Sequence, residues 1–294
     1  MKNVLSTFDG LSSLQHILRD RLKINDIKYF ASEIDPYAIE VTQYHFPKTI
    51  QLGDVRNITN KDISKQVWWL LSGGSPCQSF SISGRRRGMI TSQNMEVTSY
   101  PQYIKLKKEG TQFEGEGVLF WEYVRLWKTS KAKYFFFENV KMNTKWETII
   151  SKELGVQPIR VNANVLTSQN RERLYWTNLF CLPFPTKVNI TANQIIKNAV
   201  GGAGTRTQLT GPKTTVRRDQ KFNCITRGSN TRMVGMKNGT VRPLTPEECE
   251  QIQTLPIGYT NVNQMTKTNR CNLIGNGWSI DTVTHILKSL KKNN

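Results

Sequence analysis

The pattern of apolar and polar positions divides the first 180 residues into short apolar runs and longer amphipathic stretches. Helical patterns begin near Ser12 and at 36–45 and 118–127, and Asp35 and Pro36 give the second an N-cap and a first-turn proline. The apolar runs predict buried strands at 4–8, 27–32, 67–71, 133–137, 159–165 and 174–179. Strands that alternate with helices predict an α/β fold with a mostly parallel sheet covered on both faces.

Two polar stretches interrupt this alternation. Residues 81–117 are polar and predict a long mobile loop. Residues 187–242 hold eleven Lys and Arg side chains against one acid, Asp219, and so carry a net charge of +10. This second stretch shows little helical periodicity, which predicts a small, mostly non-helical domain inserted into the α/β domain.

The sequence after the basic stretch returns to regular elements. The 233–242 segment predicts a β-hairpin around Asn238 and Gly239, a pair that suits a tight turn. A helix is predicted at 246–253, and 271–287 regains the apolar character of the first 180 residues. Both ends of the chain therefore contribute to the predicted α/β domain.

Polar residues gather where the predicted strands end. Since parallel strands have their carboxyl ends at one edge of the sheet, and ligands of open α/β sheets bind at that edge, these residues predict a functional site there. They are Asp9, Glu33, Asp54, Cys77 and Glu138.

Cys77 lies in a turn rich in Gly, Pro and Ser directly after the apolar run at 67–71. A lone cysteine is most often a small buried hydrophobe. Here the polar neighbours on both sides argue against burial, and the flanking Gly and Pro allow a fixed turn and close approach by a ligand. The setting makes Cys77 a candidate nucleophile.

Composition narrows the choice of partner. The chain has 294 residues, a net charge of +19 and a pI near 9.8, which point to a polyanionic partner, nucleic acid before membrane. No window reaches the apolar length of a membrane span, and no signal-peptide core is present. The cysteines have no CxxC spacing and histidines number only three, which argues against a metal site. Five scattered cysteines predict free thiols in a reducing, intracellular setting.

Eight motifs, in order over almost the whole chain, resemble those of the DNA cytosine-5 methyltransferases. Coverage is weakest at 81–113 and 187–240. Within the family, the 115–120 segment and the short insert are similar to the animal de novo enzymes. The motifs begin at Phe8, Glu33, Asp54, Ser75, Phe137, Gln169, Arg242 (continuing to Glu248 and Gln253) and Gly275.

The resemblance implies a Rossmann-like fold that binds S-adenosylmethionine. It departs from the family at Ser12 and Ser13, where the first motif usually has more glycines, and at Ile34, where an aromatic residue often follows the ribose-binding acid. The residues that the resemblance implies for cofactor binding are Phe8, Asp9, Gly10, Glu33, Ile34, Asp54, Val55, Pro76, Asn276 and Trp278.

The resemblance also implies the roles of the catalytic residues. The Cys77 thiolate would add to carbon 6 of cytosine, and Glu138 would bind ring nitrogen 3 and the exocyclic amine while protonated or sharing a proton. Arg173 would bind the ring carbonyl oxygen as charge develops there. Arg171 would hold the Cys77 loop or a DNA phosphate. No side chain is implied for removal of the carbon 5 proton.

A base inside a duplex must be flipped out before this chemistry. The 81–117 stretch is the candidate lid and wedge, and the insert is the candidate reader of DNA sequence. The predicted DNA contacts are Ser81, Arg85, Arg86, Arg87, Arg217, Arg218, Lys221, Arg227 and Arg232.

Taken together, residues 1–180 and 243–294 are predicted to form the catalytic domain and residues 181–242 the target recognition domain. The expected partner is double-stranded DNA, the chain is expected in the cytoplasm or nucleoid if prokaryotic or phage-encoded, and a dimer stays open beside a monomer. Pairing with a restriction nuclease is also open. The alternatives are the same chemistry on RNA, or a DNA-binding paralogue without activity.

Simpler interpretations remain for several of these residues. Glu138 alone could be a strand-end ion-pair partner, and Asp54 a turn residue. The arginine run at 85–87 could be a solvated charge run, and Arg171 and Arg173 could form structural ion pairs.

Overall fold

The computed structural model describes residues 1–76, 80, 88–186, 188–208 and 211–292. The strands are β1 (Lys2–Thr7), β2 (Ile27–Ser32), β3 (Ile50–Gln51), β4 (Trp68–Gly73), β5 (Ile90–Thr91), β6 (Phe113–Glu114), β7 (Tyr134–Val140), β8 (Ile159–Asn162), β9 (Glu172–Thr177), β10 (Ala199–Gln208), β11 (Gly211–Val216), β12 (Met233–Met236) and β13 (Val241–Pro243). The helices are α1 (Ser13–His16), α2 (Pro36–His45), α3 (Asn60–Ser64), α4 (Tyr100–Lys108), α5 (Leu119–Ser130), α6 (Thr144–Leu154), α7 (Ala192–Ile195), α8 (Pro246–Ile252), α9 (Lys267–Asn276), α10 (Ile280–Leu287) and α11 (Ser289–Lys292).

Seven strands form the central sheet in the order β3-β2-β1-β4-β7-β9-β8. The first five run parallel, whereas β9 is antiparallel to both β7 and β8. Thr7, at the end of β1, is in register with Ser32 on β2 and with Gly73 on β4, so the carboxyl ends of these strands meet at one edge. The prediction of an α/β fold with a mostly parallel sheet is confirmed.

Side chains of alternate residues pack on opposite faces of the sheet. Leu70 and Phe136 belong to one buried cluster, while Leu71, Phe135 and Phe137 belong to the other. Successive side chains of a strand point to opposite faces, so a continuous apolar run is the pattern of a strand covered on both sides. The helices supply these two layers.

Of the six predicted strands, only the one at 27–32 has the predicted bounds, and two of the differences are informative. The fourth strand begins at Trp68 and not at Val67, whose side chain is 88% exposed. The run at 159–165 is a strand only as far as Asn162, because the Asn162 side chain accepts a hydrogen bond from the Asn164 N–H and starts a 3₁₀ turn. A local side-chain bond of this kind competes with strand pairing.

The prediction of a loop at 81–117 is wrong for its described part, 88–117. That part contains β5, β6 and α4, and Ser99 caps the helix by accepting from the Gln102 N–H. Tyr103 and Lys107 of α4 bind the fully buried Glu122 of α5. These buried partners lie far along the chain, so the polar composition of the stretch gave no indication of the helix.

The basic insert contains a four-stranded antiparallel sheet in the order β11-β10-β12-β13. Strands β12 and β13 confirm the predicted hairpin, and Gly239 has the positive φ of 84° that its turn requires. Phe222 and Val234 are fully buried in the same cluster as Val4 of β1, so the insert packs on the α/β domain. Strand β13 ends at Pro243, one residue beyond the predicted domain boundary.

The elements after the insert are helical. The predicted helix at 246–253 is α8, which Thr245 and Glu248 cap reciprocally. Helices α9 and α10 follow, and the apolar residues of α10 are buried. Within the described residues, no helix combines the length and apolar character needed to cross a membrane.

Candidate active site

A cavity of about 580 Å³ opens at the edge where the parallel strands end. Its wall combines residues predicted to bind the cofactor with residues predicted to act on the base, which brings both groups to one site. The predicted cofactor residues that line it are Phe8, Gly10, Glu33, Ile34, Asp54, Val55, Pro76 and Asn276. The other predicted residues on its wall are Glu138, Arg171, Arg173 and Arg227.

Glu33 follows β2 and is held by backbone amides. Gly10 donates its N–H to Oε2 at 2.8 Å, and Ile34 and Asp35 donate theirs to Oε1 at 2.8 and 2.9 Å. Gly10 has a positive φ of 56°, which turns its N–H toward the carboxylate. Since a carboxylate offers about four lone-pair sites, Glu33 keeps acceptor capacity for a ligand in the cavity.

Asp54 is both a turn residue and part of the cavity wall. Its side chain accepts from the Arg56 N–H at the start of the 3₁₀ turn Val55–Asn57 and from Arg56 Nε at 3.0 Å. The bond with the Arg56 guanidinium lowers the pKa of Asp54 from its ordinary value. Asp54 is therefore an anion fixed at the cavity.

Asp9 and Trp278 were expected to line the cofactor site, and neither is part of the cavity wall. The Asp9 carboxylate is buried, where it accepts hydrogen bonds from Ser12 Oγ at 2.5 Å and Tyr29 Oη at 2.7 Å. Burial raises its pKa to about 6. The Trp278 ring packs edge-on against Phe136, with 5.1 Å between ring centroids. Both side chains support the site from behind.

Glu138 and Arg173 form an ion pair on the cavity wall. Strands β7 and β9 are antiparallel neighbours, and Arg173 Nε lies 3.0 Å from Glu138 Oε1. Each side chain is only 13% exposed. A Cβ atom at Gly74 would lie 3.0 Å from Glu138 Oε2, so the glycine makes room for the carboxylate. The pair places a carboxylate and a guanidinium side by side on the cavity wall.

Cys77 itself lies outside the described residues, as do Ser81, Arg85, Arg86 and Arg87. The chain leading to Cys77 is described as far as Pro76. Ser75 is buried, and Asn139 Nδ2 donates to both its carbonyl oxygen and its hydroxyl at 3.2 Å. This bond ties the start of the turn to the residue after Glu138 on β7.

The described contacts of Arg171 differ from its predicted role of holding the Cys77 loop or a phosphate. Its guanidinium is buried and donates to the carbonyl oxygens of Ile225 at 2.8 Å and Gly277 at 2.7 Å. It also lies 3.2 Å from Cys224 Sγ. Arg171 thus joins Ile225 of the insert to Gly277 of the last motif.

Gln169 and Gln253 extend this buried connection. Gln169 Nε2 donates to Gln253 Oε1 at 2.7 Å, and Gln253 Nε2 donates to the Ile274 carbonyl at 3.0 Å. The Ile225 N–H donates to Gln169 Oε1 at 3.3 Å. Because these two side-chain amides are paired in the interior, they fix the segments around residues 169, 225, 253 and 274 relative to one another.

Lys221 is one of the predicted DNA contacts in the insert. Lys221 is buried, and its Nζ donates to carbonyl oxygens of Asn164, Thr167 and Ile190 at 2.7–3.3 Å. The prediction that Lys221 contacts DNA is therefore corrected, because its ammonium holds the insert against the catalytic domain.

The remaining described arginines differ in exposure and partners. Arg217 is paired with Asp219, at 3.0 Å between Nε and Oδ1. Arg232 Nη1 lies 3.4 Å from Asn272 Oδ1. Arg218 and Arg227 are exposed, and Arg227 also lines the cavity. These two arginines are the best placed for phosphate contacts.

Glu122 and Arg125 support the site without having been predicted. Arg125 Nε donates to the buried Glu122 at 2.6 Å, and its Nη2 donates to the carbonyl oxygen of Val55 on the cavity wall at 3.1 Å. The signal was present in the sequence as an acid and a base three residues apart on an amphipathic helix. Among the described residues, no cluster of three His, Cys, Asp or Glu side chains could hold a metal ion.

Comparison with known proteins agrees with the motif pattern. The profile of the family described as C-5 cytosine-specific DNA methylase matches residues 2–179 and 169–292. Orphan methyltransferase M.SPRI of Bacillus phage SPR is 32% identical over 185 residues, which cover 58% of this chain and 36% of that protein. The matched segment thus spans about a third of this phage relative.

Other relatives match along their whole length. Type II methyltransferase M.Bsp6I of Bacillus sp. is 24% identical over 345 residues, which cover 100% of this chain and 99% of that protein. The solved structures of S. pombe Dnmt2 methyltransferase and of a putative DNA modification methyltransferase from an E. coli prophage have TM-scores of 0.68 and 0.63. They cover 99–100% of this chain and 99% of their own, at 15% and 17% identity, and so support the fold alone.

Proposed function

Because this chain belongs to the C-5 cytosine-specific DNA methylase family, we propose that it transfers a methyl group from S-adenosylmethionine to carbon 5 of a cytosine flipped out of duplex DNA. The observation that carries the proposal is the Glu138–Arg173 pair on the wall of the same cavity that Glu33 and Asp54 line. A base-binding pair and a nucleoside-binding wall within one cavity suit a transfer between two ligands.

The cavity wall fits the proposed cofactor. Glu33 keeps acceptor capacity for a ribose hydroxyl, and Asp54 is an anion that follows the neighbouring strand β3 at the same edge. Ile34 is 68% exposed and, with Val55, offers an apolar surface to the adenine ring. When bound, S-adenosylmethionine supplies an electrophilic methyl group. Phe8, Gly10, Pro76 and Asn276 complete the set of residues that would hold it.

Cys77 is the proposed nucleophile. Its thiolate would form a bond to carbon 6 of cytosine, and the electrons of the 5,6 double bond would let carbon 5 take the methyl group. The bond from that methyl group to the cofactor's sulfur would break at the same time, which leaves S-adenosylhomocysteine as the product. A base removes the carbon 5 proton, the double bond re-forms, and the bond to sulfur breaks so that the thiolate leaves. Pro76 and the buried Ser75 fix the start of the turn that carries this thiol.

Glu138 and Arg173 are the proposed base-binding residues. Glu138 binds ring nitrogen 3 and shares a proton with it, which withdraws electrons from carbon 6 as the thiolate adds. Arg173 donates to the ring carbonyl oxygen, where negative charge develops. Their ion pair at 3.0 Å holds both groups ready at the wall before the base enters.

Duplex DNA is the proposed substrate. Arg218 and Arg227 are exposed on the basic insert, and the insert packs against the cavity edge through Arg171 and Lys221. A charged module fixed beside the cavity can bind the phosphates on either side of a flipped base. We further propose that residues 181–242 form the recognition domain, since the four-stranded antiparallel sheet begins at Ala199.

Methyl transfer from labelled S-adenosylmethionine to duplex DNA, with tRNA as a parallel substrate, tests the activity. We expect label in DNA, stable to removal of protein. Transfer to tRNA alone would show that the substrate is RNA and not DNA. Absence of transfer to any DNA would reject the proposal.

A covalent trap tests the nucleophile separately. Duplex DNA with 5-fluorocytosine keeps the enzyme attached, because fluorine cannot leave as a proton does. We expect an adduct with the unaltered protein and none with Cys77→Ser, while Cys181→Ser forms the adduct normally. An adduct that persists in Cys77→Ser would contradict the assignment, provided that both variants still bind DNA.

A further inference from the structure

Cys224 is a thiol beside the cavity that the proposed chemistry does not use. Its Sγ lies 3.2 Å from Nη1 of Arg171 and 3.6 Å from Nη2 of Arg173. The next residue, Ile225, is fixed on both sides, since its N–H donates to Gln169 and its carbonyl accepts from Arg171. The sulfur is therefore held between two guanidinium groups by a rigid backbone.

The surroundings of Cys224 favour its ionised form. Burial opposes ionisation, but the guanidinium groups of Arg171 and Arg173 outweigh it and lower the pKa of the thiol from its ordinary value. Among the described residues, Tyr175 also interacts with it, and burial raises the pKa of Tyr175 so that its phenol stays neutral. Glu138 is paired with Arg173. The sulfur thus lies between two cations that favour its ionised form.

This position of the sulfur matters most when the base is bound. The Arg173 guanidinium is the group that Glu138 and the sulfur both contact, through Nε and Nη2 respectively. If Glu138 shares its proton with the base, its hold on Arg173 weakens at the moment when Arg173 must stay in place. The sulfur on Nη2, together with the Glu172 carbonyl that accepts from Nη1 at 2.8 Å, keeps the guanidinium from following the carboxylate.

We propose that Cys224 is a positioning residue whose sulfur holds the guanidinium of Arg173 in place for the target base. The inference rests on the proposed function and adds to it a second, noncovalent role for a cysteine at the site. Cys224 acts through Arg173 and does not touch the substrate.

Cys224→Ser and Cys224→Ala test this role kinetically. Serine keeps a polar atom but stays neutral, and alanine removes the partner altogether. We expect kcat for methyl transfer to fall about ten- to a hundred-fold in both, with a smaller change in KM. Misplacing a group that acts on the base slows the chemical step more than it weakens substrate binding. Cys181→Ser is the matched control, since Cys181 is also part-buried and bonds only locally, to the Leu182 carbonyl.

The pH dependence separates positioning by a thiolate from simple packing. As pH falls and the thiolate of the unaltered protein is protonated, its advantage over Cys224→Ser should shrink. A rate ratio that stays constant with pH, or a kcat equal to that of the unaltered protein, would overturn the proposal. If the alanine variant does not fold, the serine variant alone still decides.

A spectroscopic titration works without any activity. The thiolate absorbance of Cys77→Ser is compared with that of the double variant Cys77→Ser and Cys224→Ser over a range of pH. We expect the difference between them to titrate below the range of an ordinary thiol, and titration at or above that range would overturn the inference. Because neither protein is active, failure of the proposed DNA methylation would leave this result interpretable.

Discussion

At the scale of single residues, Asp9 combines burial with charge. Its carboxylate accepts from Ser12 and Tyr29, and no cation of the described residues bonds to it. Desolvation therefore dominates and raises its pKa from 3.8 to about 6. Glu33 and Asp54 are instead held by backbone N–H groups or by Arg56. Three acids that look alike in the motif pattern thus have different electrostatic settings.

The raised pKa of Asp9 predicts a dependence of stability on pH. Between pH 3.8 and about 6 the folded chain keeps a proton that the unfolded chain has lost, so this group destabilises the fold as pH rises through that window. Asp9→Asn, which keeps an oxygen and an amide for the two hydroxyls, should gain stability relative to the unaltered protein on the order of 3 kcal/mol between pH 4 and pH 7.

Chemical denaturation at a series of pH values measures this difference. Asp26→Asn is the control, because Asp26 is an exposed carboxylate that pairs with the terminal amine. Its difference from the unaltered protein should change little with pH. If the free energy of unfolding of Asp9→Asn differs from that of the unaltered protein by the same amount from pH 4 to pH 7, the predicted burial of a charge at Asp9 is contradicted.

At the scale of elements, the insert is fixed to α9 by close contact of backbones. A Cβ atom at Gly275 would lie 2.3 Å from the carbonyl carbon of Thr226 and 2.6 Å from the amide nitrogen of Arg227. Arg171 and Gln169 bond to the adjoining Ile225. The position of Arg227 at the cavity thus depends on a glycine in a different element.

Gly275→Ala should force these two segments apart. We expect a loss of about 1–3 kcal/mol in the free energy of unfolding, the usual cost of overpacking, together with weaker DNA binding. Gly228→Ala is the matched control, because its nearest neighbour would be Thr226 Oγ1 at 3.7 Å and its φ is negative. Equal urea midpoints for the two variants would show that the contact is not tight.

At the scale of the whole molecule, the charge of +19 is unevenly distributed. The insert carries more than half of it, next to the edge where the cavity opens. Part of that charge serves the fold, because Lys221 binds three carbonyl oxygens and Arg217 pairs with Asp219. The exposed remainder, with Arg218 and Arg227 as members, is what DNA can reach.

The dependence of DNA affinity on salt should report this division. Arg218→Ala and Arg227→Ala should each lower the slope of log affinity against log salt by about 0.9, the value for one phosphate contact. Lys65→Ala is the control, since Lys65 precedes β4 at the opposite edge of the sheet and should leave the slope unchanged. The same slope for all three variants would contradict a DNA surface at the insert.

The sequence alone indicated the strands of the parallel sheet and several residues of the cavity wall. Apolar runs such as 67–71 predict strands whose two faces are covered, and polar residues after them meet at one edge because parallel strands share a direction. Glu33, Asp54 and Glu138 could therefore be found from local pattern and motif spacing. The four-stranded sheet of the insert was harder to predict, since the turn at Asn238 and Gly239 was its only signal in the sequence.

Only the tertiary structure decided which charged side chains face inward. In the sequence, Lys221 looks like a DNA contact and Arg171 like a residue that holds the Cys77 loop or a DNA phosphate. In the structure, both are buried and donate to carbonyl oxygens of remote segments. Cys224 likewise becomes a partner of Arg173 only because 224–225 lies across the end of β9. The physical reason is that burying a charge is costly unless partners meet it, and those partners come from parts of the chain that local pattern does not connect.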